Sequence, residues 1–144
     1  MNKTNKLLVF ALFLTLIFAA CSSDDDSNPT KPEDPASVGT YSGNNSMDTT
    51  MTITISNVDG KAFVTSYEIH YSVQTGSGTA NGTFSKSIST GIVEVVNNSF
   101  QYSLGTEGDE VLTGTVNGNN ITGSFKFPPT PFAGVVSGTY TISK

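Results

Sequence analysis

Thr50-Met51-Thr52-Ile53-Thr54-Ile55, then Ser56-Asn57-Val58-Asp59-Gly60, then Lys61-Ala62-Phe63-Val64-Thr65-Ser66-Tyr67-Glu68-Ile69-His70-Tyr71, is the stretch that decides the fold. Met51, Ile53 and Ile55 alternate with threonines, the period of two that marks a half-buried strand. In the second run Phe63, Tyr67, Ile69 and Tyr71 fall on one face, and Val64, Ser66, Glu68 and His70 on the other. Asp59-Gly60 between two alternating runs signals a tight hairpin.

Working outward, the pattern repeats at Phe100, Tyr102 and Leu104, at Leu112 and Val116, at Ile121, Phe125 and Phe127, and at Val136, Tyr140 and Ile142. Asn117-Gly118-Asn119-Asn120 reads as a second tight turn, while residues 92–96 stay ambiguous because Glu94 interrupts the valines. No segment carries helical spacing of useful length. The sequence therefore predicts an all-β, single antiparallel domain of about eight strands over residues 38–144, a flattened barrel or a tightly twisted sandwich.

A second regularity is glycine two residues before a bulky side chain: Gly39 and Tyr41, Gly82 and Phe84, Gly114 and Val116, Gly123 and Phe125, Gly138 and Tyr140. Residues two apart on a strand share a face, so these glycines lie on the inner side. Glycine there weakens a strand unless it permits a bend or a close approach. Aromatic rings laid over the glycines, on strongly coiled strands, are the expected use. This glycine-aromatic pattern resembles a class of small secreted bacterial β-domains across most of residues 39–144. That resemblance implies no biochemical activity. Avidin-like and lipocalin-like meanders look similar, but the chain has no tryptophan on which an avidin-like site could stack its ligand.

Residues 1–37 read differently. Lys3 and Lys6 precede an apolar run over 7–20, and Ala19-Ala20 lead into Cys21, the one cysteine. A basic start, a short apolar core and a small-residue step form a secretory signal peptide over 1–20. The run is shorter than the roughly 20 residues a membrane span requires. Ala19-Ala20-Cys21 resembles a bacterial lipobox, which implies lipidation of Cys21, by palmitate or a similar chain, and a membrane partner through that anchor. Ser22-Ser23-Asp24-Asp25-Asp26 resembles the export signal of Bacteroidota surface lipoproteins, which implies the outer membrane with the domain facing the exterior. Multiple acyl chains give stable anchoring where a single chain does not. Residues 21–37 hold Pro29, Pro32 and Pro35 and no aromatic, the composition of an acidic linker that does not order itself. Such a spacer reaches on the order of 50 Å.

Charge narrows the function. The formal net charge is -5, and loss of residues 1–20 removes two lysines and no acid, moving it to -7. With no arginine at all, the chain is a poor fit to nucleic acid. Once Cys21 carries lipid, no thiol is left for a disulfide. His70 stands alone, without a nucleophile motif, and reads as a solvated strand histidine. Glu107, Asp109 and Glu110 form a weak Ca²⁺ candidate, because their spacing is not that of an EF-hand loop. No cofactor is implied. Glu68, Glu94 and Glu107 are the carboxylates that a glycoside-acting enzyme would have to draw together.

Phe127-Pro128-Pro129-Thr130-Pro131-Phe132 is the most unusual internal segment. Its prolines fix φ and remove donors. The leading expectation is a stiff edge with Phe127 and Phe132 tucked inward, and the second is a rigid binding loop. The functional expectations, in order, are a surface-tethered module for an extracellular glycan or protein, a lipocalin-like carrier of an apolar ligand, and an enzyme.

Overall fold

The computed structural model describes residues 37–105, 109–131 and 133–144. Cys21, Ser22, Ser23, Asp24, Asp25, Asp26, Glu107 and Phe132 lie outside the described residues.

The described chain is all-β. Its strands are β1 (Gly39–Asn44), β2 (Thr50–Val58), β3 (Lys61–Thr75), β4 (Gly78–Ser87), β5 (Val93–Glu94), β6 (Ser99–Leu104), β7 (Glu110–Asn117), β8 (Asn120–Phe127) and β9 (Val136–Ser143). They form one antiparallel sheet in the order β4-β3-β2-β1-β9-β8-β7-β6, with β5 paired to β3 beside the end of β4. β5 supplies the ninth strand, in the stretch that Glu94 left ambiguous.

Asp59 and Gly60 both hold positive φ, 52° and 84°, as a type I′ hairpin demands. The Asn57 side chain caps the turn by accepting the Gly60 N–H at 2.9 Å. Alternation then breaks once. Thr54 pairs with Ser66 but Ile55 pairs with Val64, so Thr65 is the extra residue of a β-bulge. The bulge reverses the expected faces ahead of it: Val64 is fully buried and Phe63 only half-buried. Period-two reading carried Phe63 inward because it assumes that no residue is inserted.

The sheet rolls onto its own apolar face. Phe84 on β4 stacks on Phe127 at the end of β8, with centroids 4.1 Å apart and planes at 9°. Those strands are five places apart in the order, which in a flat sheet would separate them by roughly 24 Å. One core results, drawn from β1 (Tyr41), β2 (Met51, Ile53, Ile55), β3 (Ile69), β7 (Leu112), β8 (Ile121) and β9 (Ile142). No ladder joins β4 to β6 among the described residues, so the roll is not closed into a barrel.

The inner glycines meet aromatics across the ladders. Phe100 lies opposite Gly114, Phe125 opposite Gly138, Tyr140 opposite Gly123 and Tyr71 opposite Gly82. In each pair the ring occupies the space a Cβ would need; at Gly138 that Cβ would come within 2.8 Å of Phe125 Cζ. Missing side chains on one strand are filled by rings from the next, which lets the sheet coil tightly.

Candidate functional site

The outward residues of β1–β4 form rows of hydroxyls. Thr40, Thr54, Ser66 and Ser87 face one another in register across the four strands, and Ser42, Thr52, Glu68 and Ser85 make the next row. Neighbours within the rows bond: Thr40 Oγ1 to Thr54 Oγ1 at 3.3 Å and Ser42 Oγ to Thr52 Oγ1 at 3.2 Å. Threonine suits this position because its branched Cβ favours a strand while its hydroxyl stays in water. An open groove of about 570 Å³ runs over Thr52, Ser66, Glu68, Ser85 and Ser87.

At its side, Thr83 Oγ1 lies 2.9 Å from His70 Nδ1, and His70 Nε2 lies 2.9 Å from Glu68 Oε1. A hydroxyl, an imidazole and a carboxylate in line have the connectivity of a nucleophilic triad. Their setting differs, since the His70 and Glu68 side chains are 43% and 58% exposed. Water weakens coupling between charges that far out. The imidazole and carboxylate stand as a hydrogen-bonded pair on this open face.

A second polar cluster sits where the two ends of the sheet approach. The Tyr67 hydroxyl donates to Glu110 Oε1, and Lys86 Nζ donates to the Tyr102 hydroxyl. Lys86 Nζ also stands 4.6 Å from the Tyr102 ring centroid. Burial, then the Glu110 carboxylate, push the Tyr67 hydroxyl well above the usual tyrosine range. The bond to Tyr102 raises Lys86. Sequence reasoning missed this cluster. Its signal was parity: Lys86 shares the inward face with Phe84, and Glu110 with Leu112, at strand ends where a polar group reaches water.

The remaining candidates separate. Phe127 is buried in the core, with Tyr67 at 6.0 Å and Phe125 at 5.8 Å, so it is no part of a binding loop. Pro128, Pro129 and Pro131 are exposed, and the turn closes through the Thr130 N–H to the Ala133 carbonyl at 2.8 Å. Asp109 is exposed next to Gly105, whereas Glu110 turns inward to Tyr67. Among the described residues no three His, Cys, Asp or Glu side chains group as metal ligands. Glu94 pairs with Lys61 at 3.1 Å and lies opposite Phe63. Glu68 is five residues further along β3, about 16 Å at strand rise. Glycoside hydrolysis uses carboxylates about 5–9.5 Å apart. The fold does not bring that pair together.

No family model, curated protein or solved structure matches the chain.

Proposed function

We propose that the chain is a lipid-anchored, non-enzymatic β-module that binds an extracellular glycan through the outer face of β1–β4. The observation that carries this reading is the in-register hydroxyl rows around the Glu68–His70 pair. A sugar presents hydroxyls that each donate and accept, and a face of hydroxyls beside one carboxylate and one imidazole answers both. The interior supports the surface reading over a carrier, because the Tyr71, Phe84 and Phe127 rings stack on one another in the core. Cys21 and the Ser22-Ser23-Asp24-Asp25-Asp26 segment support the tether.

Affinity electrophoresis through gels holding neutral glucan or mannan tests the site. Retardation that Glu68→Ala removes supports it. Retardation unchanged by Glu68→Ala overturns the site, and no retardation in either gel removes the neutral-glycan reading. For the tether, Cys21→Ala should abolish palmitate labelling, and a variant that still takes up label refutes the anchor.

A further inference from the structure

Among the described residues β4 is an end strand of the sheet, bonded to β3 on one side only. The Ile88 N–H donates to the Thr65 carbonyl at 2.8 Å, continuing the β3–β4 register past Ser87. Alternate pairs of an antiparallel ladder exchange both bonds. The even residues of β4 therefore bond to β3, and Thr79, Asn81, Thr83, Ser85 and Ser87 turn their N–H and C=O groups away from it. Such a row templates another strand unless charge, proline or a bulge blocks it. Residues 78–85 hold neither charge nor proline, and the register with β3 is unbroken over all ten residues of the strand.

The occupant follows from the side chains. We propose that β4 pairs antiparallel with β4 of a second copy of this chain, about a two-fold axis at Thr83. Thr83 is the midpoint of the five free residues, so this register alone uses every outward group. It sets Thr83 against Thr83, Asn81 against Ser85 and Thr79 against Ser87. All are neutral hydroxyl or amide pairs, of the kind that stabilises neighbouring strands. On the inner side Gly82 meets Phe84 and Ala80 meets Lys86, so bulk faces little bulk. Lys86, the one charge on β4, is kept at opposite ends of the pair, where like charges do not meet. A closed two-fold contact of this kind joins two copies and stops there.

The test is the mass in solution of the mature chain carrying Cys21→Ser, which removes lipid. Sedimentation equilibrium should give two copies at high micromolar concentration. Asn81→Pro removes one outward N–H without breaking a bond to β3, and should weaken association about tenfold or more. Thr83→Cys should cross-link to a covalent dimer under mild oxidation, because paired strands hold opposed Cα atoms within disulfide reach. Unchanged circular dichroism shows that Asn81→Pro has kept its fold; if it has not, the Thr83→Cys cross-link decides. A single-copy mass throughout overturns the proposal. So does a dimer that Asn81→Pro leaves intact, or one that Thr83→Cys does not lock, since either requires another surface or partner.

Discussion

On β2, Met51, Ile53 and Ile55 point into the roll and are buried, while Thr52 and Thr54 between them stay within reach of solvent. The same contrast holds between the inner and outer faces of the whole sheet. Inside, rings and glycines interlock across ladders and leave no room for change. Outside, hydroxyls repeat in rows that bond weakly to one another and tolerate change. The fold is carried by one face, and the glycan binding proposed above is assigned to the other. Substitutions should therefore separate cleanly: large stability losses inside with no direct effect on recognition, and the reverse outside.

The largest effect is expected at Phe127, buried and stacked on Phe84. Phe127→Ala should cost about 3–5 kcal/mol, because a cavity opens where the rolled halves meet. Urea denaturation measures it directly. A loss close to zero would mean that the stack does not hold the roll, and the contrast between faces would fail at its strongest point.

Next comes Gly114, where a Cβ would run into the Phe100 ring and the Tyr140 hydroxyl. Gly114→Ala should cost about 1–3 kcal/mol, as overpacking usually does. The informative control is the double variant Gly114→Ala with Phe100→Leu. If crowding is the cause, the second change recovers part of what the first lost, a coupling visible in a double-mutant cycle.

Much of the inner face could be read from the sequence, and the reason is physical. Alternation at 51, 53 and 55 and the Asp59-Gly60 turn are local signals, set by the two-residue period and by left-handed φ. Glycines opposite rings were expected as rings over glycines, and the register pairs them so. What failed was non-local. The bulge at Thr65 depends on how β2 meets β3, so Val64 was placed on the wrong face. The two-residue β5 exists only because β3 offers it an edge. Rows of hydroxyls were invisible for the same cause, since single strands show a threonine and only registers show a row. The Tyr67, Glu110, Lys86 and Tyr102 cluster needed the roll itself.

Alkali offers a milder way to attack the inner face. Burial raises the Tyr140 hydroxyl well above its ordinary value near 10, and its proton is held toward the Thr113 carbonyl at 2.6 Å. Tyr67 is raised as well. A group raised in the folded state stabilises fully below its unfolded pKa. That contribution is lost as pH climbs from there toward the folded value. Stability should hold flat up to about pH 10 and then fall, with Tyr140 alone contributing a slope of about 1.4 kcal/mol per pH unit. Urea midpoints between pH 8 and about 11.5 would show the bend. Tyr140→Phe should soften the slope, and a curve with no bend would mean that these hydroxyls reach water in the folded state.

The smallest stability effect, and the one that bears on function, belongs to the outer rows. Thr52→Ala with Ser85→Ala removes two hydroxyls from the row containing Glu68, at the groove over β2–β4. Both side chains reach solvent, so the pair should shift stability by no more than about ±0.5 kcal/mol for each site. Their hydroxyl contact is the 3.2 Å one from Thr52 to Ser42, a solvent-exposed bond that water replaces. Retardation by a neutral polysaccharide should nevertheless fall, because each lost hydroxyl removes both a donor and an acceptor from the face proposed to bind it. A matched pair on the other half of the sheet, Thr115→Ala with Thr122→Ala, provides the comparison, since those hydroxyls border a separate open groove of about 380 Å³. Loss of retardation with the first pair alone places recognition on β1–β4. Equal loss with both pairs would make the whole hydroxyl coat the binding surface, and the Glu68–His70 pair would then have no special part in it.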